Sequence, residues 1–301
     1  MTPTPLPATA TAMTTEPVPL AKGLSEIAGR YRGLLCDVWG VVHNGVAAFP
    51  TACEALQNFR AGGGSVVLLT NAPRPSGPIY DQLAHVGVPR DAFDSVVTSG
   101  DATQLFFARE NVRKVFHLGP DRDLTLYDGT GIDRVDPGEA ELVVCTGLFD
   151  DTTETPEDYR DLLADLKAKG LRLVCANPDV VVHRGDTLIW CAGALARDYA
   201  AIGGDVTIFG KPYAPIYDAA LGRLAEVAGR DLKKDEVLAI GDGLPTDIAG
   251  ASDQGLPTLF ITGGIHAADF GPIEAPDMAK VTDRLESEGR RVVAAMPRLS
   301  W

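Results

Sequence analysis

Several features are scarce or missing in this chain, and each absence removes a class of function. No CxxC pair occurs among the five cysteines (Cys36, Cys53, Cys145, Cys175 and Cys191), and their number is odd. Neither a zinc knuckle nor a disulfide framework is therefore indicated. The cysteines read as small core residues of a protein kept in a reducing compartment, the cytoplasm. Positive charge is in deficit: 27 Lys and Arg face 41 Asp and Glu, a formal net charge of -14. Such a surface repels nucleic acid and anionic lipid, so neither is expected as a partner. A small anionic substrate stays possible where a few cations are placed locally. No apolar run reaches the ~20 residues that span a bilayer, so no membrane role is expected. Residues 1–20 are rich in Thr, Pro and Ala but have no basic n-region and no compact apolar core. They do not read as a secretory signal, and a disordered lead-in is expected. No internal repeat of the solenoid kind is present.

What remains is ordinary globular material: 301 residues, 45% hydrophobic and 23% charged, enough for one large core or two smaller ones. Apolar runs alternate with helical spacing. Strands are expected over residues 33–38, 65–71 and 95–99, with helices at 49–60, 79–86 and from 99 to 110 between and after them. That alternation implies a doubly wound parallel sheet with right-handed crossovers. Near Arg113 the pattern restarts, with strands at 115–118, 142–145 and 171–175 and a helix at 156–169. A second, inserted α/β domain is expected over 112–205, with the core formed by 21–111 and 206–301. In the second core segment, strands at 206–209, 236–240 and 259–262 flank a helix at 213–229.

Four of these runs end in polar residues: Asp37, Thr70, Lys211 and Asp242. In an open α/β sheet, ligands bind at the carboxyl ends of the strands, so these four are expected to converge there. Two carboxylates brought together repel unless a cation lies between them. A hard ion such as Mg²⁺ suits oxygen ligands, water and phosphate. A Lys, a Thr hydroxyl and nearby backbone N–H groups would hold the remaining phosphate oxygens. Such a set is suited to phosphoryl transfer, with Asp37 as the attacking carboxylate. Gly210-Lys211 is not a Walker A loop, because Pro212 stands where Ser or Thr is required.

The motifs, in order, are Asp37-Val38-Trp39-Gly40-Val41, Leu69-Thr70-Asn71, Gly210-Lys211-Pro212 and Gly241-Asp242-Gly243-Leu244-Pro245-Thr246-Asp247. Together with the segment Ala176-Asn177-Pro178-Asp179, they resemble the haloacid dehalogenase superfamily. Within it the chain looks like subclass IIA, the branch of p-nitrophenyl-phosphate and pyridoxal-phosphate phosphatases. The resemblance runs from about Gly33 to Gly264. It implies an Mg²⁺-dependent phosphatase-like hydrolase of a small phosphorylated metabolite, working through an aspartyl-phosphate on Asp37 beneath an α/β cap. Thr70 and Lys211 would bind phosphate, with Asn71 helping through its backbone N–H. Asp37, the carbonyl of Trp39 and Asp242 would ligate the metal, and Asp247 would support it. Caps of this branch often dimerise, so a homodimer through the cap is a further expectation.

One residue departs from the pattern. Trp39 stands where the family has the Asp that protonates the leaving group and then activates water, a function worth ~10²–10⁴-fold. The metal-binding carbonyl survives the change; the acid does not. Three routes follow. His43, on the loop after the strand, would supply the proton; the substrate would have a good leaving group, such as an acyl phosphate; or the protein would bind a phosphorylated ligand as a regulatory module without turning it over. Trp39 itself is either a packing residue under the cap or a wall for the substrate. In the cap, His183 and Arg184 would meet the substrate's non-phosphate end if the cap closes over Asp37, and Arg74 is a further candidate. Carbon–halogen cleavage needs no metal, so the presence of Asp242 and Asp247 counts against it. Schiff-base cleavage of carbon–phosphorus bonds would need a cap lysine at the site, whereas Lys167 and Lys169 fall on a solvent-facing helix.

Overall fold

The computed structural model describes residues 17–185 and 187–301. In chain order the strands are β1 (Gly33–Asp37), β2 (Ser65–Thr70), β3 (Ser95–Thr98), β4 (Lys114–Leu118), β5 (Asp133–Arg134), β6 (Leu142–Cys145), β7 (Arg172–Cys175), β8 (Val181–Arg184), β9 (Thr187–Trp190), β10 (Val206–Ile208), β11 (Val237–Gly241), β12 (Thr258–Ile261) and β13 (Ala294–Met296). Six of them form a parallel sheet in the order β13-β12-β11-β1-β2-β3. β1 lies in the middle, where the strand order reverses. That is the switch point at which doubly wound sheets open a crevice beyond their carboxyl ends.

The apolar runs follow from burial on both faces. Along β1 and β2, Leu34, Cys36, Val66 and Leu68 join one core cluster. Leu35, Val67 and Leu69 join another, with Ile216, Tyr217, Ala220 and Leu224 of the helix Ala214–Ala228. The helices Pro50–Ala61 and Ser76–His85 contribute Leu56, Phe59, Ile79 and Leu83 to the first cluster. All five cysteines are free and buried.

The second sheet is also parallel, in the order β10-β7-β6-β4-β5. It has cores of its own, one of them containing Val143, Leu173 and Leu195, the last from the helix Ala192–Ala201. An antiparallel hairpin, β8–β9, projects from this half of the chain. Among the described residues, no helix is long and apolar enough to cross a membrane.

Three expectations are corrected. The return to the first sheet at residue 206 comes later: β10 pairs with β7, Val206 against Leu173, and so belongs to the second sheet. Its apolar residues suit either sheet, and the partner strand decides. The expected lead-in at 1–20 is shorter than drawn. Ala295 N–H donates to Pro19 O at 2.8 Å and Val18 N–H to Thr282 Oγ1 at 3.2 Å, so residues 18–20 are tied to the sheet edge; residues 1–16 lie outside the described residues. The first sheet also extends past β12 to β13, whose Ala-Ala-Met sequence carries little strand signal.

Candidate active site

Asp37 is the last residue of β1, Thr70 the last of β2, and Asp242 follows the last of β11. Neighbouring strands of one parallel sheet thus deliver three polar side chains to one edge. Lys211 arrives differently from the expected fourth strand end. It sits on the connection between β10 of the second sheet and the helix Ala214–Ala228 of the first. Asn71 fixes that connection. Its Oδ1 accepts from Lys211 N–H at 2.7 Å, and its Nδ2 donates to Asp179 Oδ1 at 2.8 Å. Gly210 makes the close passage possible. Its φ is +118°, and a Cβ there would stand 2.2 Å from Ser99 Oγ and 2.7 Å from Asn71 Oδ1.

Lys211 Nζ donates to Asp37 Oδ1 at 2.5 Å and to Asp247 Oδ1 at 2.7 Å, and all three side chains are buried. Asp242 accepts from Ile265 N–H at 2.7 Å, and Asp247 from Gly243 N–H at 3.2 Å. One carboxylate oxygen from each of Asp37, Asp242 and Asp247 lies within 4.8 Å of the others. Gly40 turns the chain tightly over this cluster: its φ is +88°, and a Cβ there would lie 2.2 Å from Asp242 Oδ2.

The electrostatics follow from burying three carboxylates around one ammonium. Burial raises the Asp37 carboxyl well above its usual range; Lys211 opposes the shift, and Asp247 and Asp242 add to it. Asp242 is pushed up to about 7, by burial first and then by Asp247. Burial alone would lower the Lys211 ammonium, but Asp247, Asp37 and Asp179 together outweigh it and hold it well above its ordinary value. Lys211 therefore stays charged, while the carboxylates still lack cationic charge. All-oxygen donors at this spacing fit a hard divalent ion, with the carboxylates of Asp37, Asp242 and Asp247 as the available ligands.

The cavity over this cluster is lined by Asp37, Trp39, Thr70, Asn71, Asp242 and Asp247 from the strand ends and loops of the first sheet, by Lys211 from the connection after β10, and by Asp179 and His183. Thr70 is buried and its Oγ1 accepts from Ala72 N–H at 3.3 Å. His183 is exposed, and its carbonyl accepts from the Trp39 indole N–H. Trp39 thus lines the cavity and is tied by its indole to the hairpin β8–β9.

His43 is placed elsewhere. It is buried on the far side of Trp39, edge-on to the indole with ring centroids 5.1 Å apart, and lines the adjacent cavity. Its Nδ1 accepts from Gly45 N–H at 2.9 Å. Burial lowers its imidazole to about 4, so the ring is neutral near pH 7. As placed, His43 serves the turn and corrects the expectation of a readily charged proton donor beside Asp37. Two participants were missed at sequence level: the Asn71 side chain as the hub joining Lys211 to Asp179, and Arg298, which lines the cavity from the chain's last segment. The Asn177-Pro178-Asp179 segment was the available signal for the first; nothing in the sequence around Arg298 marked the second.

Residues 34–133 match the family model described as haloacid dehalogenase-like hydrolase, and residues 208–287 match a HAD-hydrolase-like model. A solved hydrolase of the haloacid dehalogenase-like family from Brucella suis 1330 is 48% identical, covers 93% of this chain and 100% of its own, and superposes with a TM-score of 0.84. The chain belongs to the haloacid dehalogenase-like hydrolase family. Its relatives include the ribonucleotide monophosphatase NagD of Escherichia coli K12, 29% identical over 79% of this chain and 90% of that protein. The 5'-nucleotidase YutF of Bacillus subtilis is 25% identical over 85% and 96% respectively. These are subclass IIA neighbours, and the protein is accordingly a hydrolase with phosphatase relatives.

Proposed function

We propose that this chain is an Mg²⁺-dependent phosphatase of a small phosphorylated metabolite, acting through an aspartyl-phosphate on Asp37. The observation that carries the reading is the buried contact of Lys211 with both Asp37 and Asp247, beside the three-carboxylate cluster. When bound, the metal would supply positive charge to the phosphoryl oxygens. Lys211 and the Thr70 hydroxyl hold the phosphate in line with Asp37. The Asp37 carboxylate attacks phosphorus, an O–P bond forms, and the ester P–O bond breaks. Water then cleaves the resulting acyl phosphate. The second sheet and its hairpin act as a cap that excludes water during the first step.

Neither Trp39 nor His43 offers the leaving group a proton near neutral pH, which favours substrates whose leaving group departs as a stable anion. The test is hydrolysis of p-nitrophenyl phosphate and acetyl phosphate with and without Mg²⁺. Turnover should need the metal and fall by ~10⁴-fold or more in Asp37→Asn, as for loss of a nucleophile. Acid quenching should trap phosphate on a peptide containing Asp37. Absence of metal-dependent turnover of both compounds would instead leave a protein that binds phosphorylated ligands in the same pocket.

A further inference from the structure

A second cavity, of about 260 Å³, lies on the other side of Trp39. It shares Trp39, Thr70, Asn71 and Asp179 with the cavity over Asp37, so it opens from the phosphate position. Trp39 stands between the two cavities and lines both. A leaving group passing the indole would therefore enter this second space.

The walls of that space carry an unusual charge pattern for a chain of net charge -14. Arg74, Arg122 and Arg184 line it, against Asp123, Asp151 and Asp179, the last of which accepts from Asn71. Asp151 accepts from both Arg122 and Arg184, the latter from Nη2 at 3.2 Å, and Arg74 Nε stands 3.5 Å from Asp123. The carboxylates are at the back and the guanidiniums in front. Asp151 and Asp123 side chains are 5% and 4% exposed, whereas Arg122 and Arg184 are 47% and 37% exposed. One buried carboxylate thus orients two guanidiniums, whose outer N–H groups stay exposed. Each guanidinium has five N–H donors, and Arg184 gives Asp151 one hydrogen bond.

This cluster is not explained as a clasp between the two sheets. Arg122 follows β4, Asp151 follows β6 and Arg184 ends β8, so all three belong to the half of the chain built on the second sheet. Only Arg74–Asp123 crosses to the first. A neutral leaving group would cover these guanidiniums without replacing their water. A carboxylate or a second phosphate would pair with them.

We propose that this cavity seats the leaving group and selects phosphate monoesters whose leaving group carries a second anionic group, held by Arg122 and Arg184. The inference rests on the phosphatase reading, and its test separates the two. One matched pair is p-nitrophenyl phosphate and 3-carboxy-4-nitrophenyl phosphate; the other is phenyl phosphate and resorcinol bisphosphate. In the wild-type protein with Mg²⁺, kcat/KM should favour the more anionic member of at least one pair by about 10- to 100-fold, the worth of a charge-assisted contact. Which pair shows it tells a carboxylate from a second phosphate. In Arg122→Met and Arg184→Met that ratio should fall toward one, with the change in KM rather than kcat. Each variant leaves the other arginine on Asp151, and Arg184→Lys should restore part of the ratio.

Calorimetric titration of the same pairs into Asp37→Asn protein reads binding without turnover. A preference that survives Asp37→Asn and falls in the double variants with Arg122→Met or Arg184→Met sustains the pocket even if the wild-type protein hydrolyses none of the compounds. That outcome would sink the phosphatase reading alone. Equal affinity for both members of both pairs in the wild-type protein, or equal losses for both members in the arginine variants, overturns the pocket.

Discussion

Asp242 carries the clearest consequence at the scale of single residues. Its carboxyl sits near 7 because it is buried and faces Asp247. The sign of the linkage is fixed by that direction. The folded protein holds this proton more tightly than the unfolded chain does, so the group's stabilisation is complete below about pH 4 and is lost as pH rises to about 7. Above that range Asp242 is ionised against its neighbours, and a divalent cation bound there, as proposed, would take over the role of the proton. Metal binding should therefore raise the melting temperature more at about pH 8 than at about pH 5, and should release protons when it occurs near pH 6. Thermal denaturation at several pH values, and calorimetry in two buffers of different ionisation enthalpy, measure these directly. Replacement of a mere outer partner of a metal ligand weakens binding by ~10–100-fold, so Asp242→Asn should weaken it by more than ~100-fold. A metal-induced shift that is the same at all pH values, or that persists in Asp242→Asn, would remove Asp242 from the metal site.

Among the elements, the hairpin β8–β9 is the one whose position depends on the site. The first sheet's loops hold it at two places: the Trp39 indole donates to the His183 carbonyl, and Gly185 N–H donates to Asn44 O at 3.0 Å. Trp39→Phe keeps the aromatic wall and deletes one donor, worth ~0.5–1.5 kcal/mol. Amide exchange over residues 181–190 should quicken and KM should rise by about 2- to 10-fold; unchanged exchange there would show that the indole does not anchor the hairpin. The hairpin was also the element least legible in the sequence. β1, β2, β6 and β11 announced themselves because burial on both faces demands an unbroken apolar run. Val181–Arg184 and Thr187–Trp190 are mostly part-exposed and are held in part through backbone groups, which leave no mark on residue choice. The same limit applies to Lys211. Its motif was readable, but its arrival from the second sheet was not, since Val206–Ile208 would read alike beside either neighbour. His43 was hard to read for a related reason: whether a loop histidine stays solvated and readily charged or is buried is settled by packing against Trp39, not by distance from Asp37 along the chain.

For the whole molecule, the site exists only because two separately packed halves meet. The first sheet's main clusters and the second sheet's main cluster share no residue. The chain passes between the halves near residue 112 and again at Phe209–Lys211. Phe107 of the helix Ser99–Glu110 provides a packed link, joining Leu126, Val144 and Val174 of the second half. Both ends of the described part of the chain, by contrast, are bound into the first half. Ala21 N–H donates to Ala295 O at 2.9 Å and Leu24 N–H to Ser300 O at 2.8 Å, while Gly263 N–H donates to Pro297 O at 2.9 Å on the side facing the cavity that Arg298 lines. Leu24 is fully buried in the first cluster. Leu24→Ala should therefore lower the stability of the first half by ~2–5 kcal/mol, the usual range for a buried leucine truncated to alanine. Urea unfolding followed by amide exchange gives the distribution of that loss. Protection should fall across β1, β11, β12 and β13 and be kept across β6 and β7, whose side chains pack in other clusters. Equal loss of protection in both groups would mean that the two halves unfold as one unit. Opening of the proposed cap would then have to come from rigid-body movement about the two connections, or from the hairpin, rather than from loosening of the second half on its own.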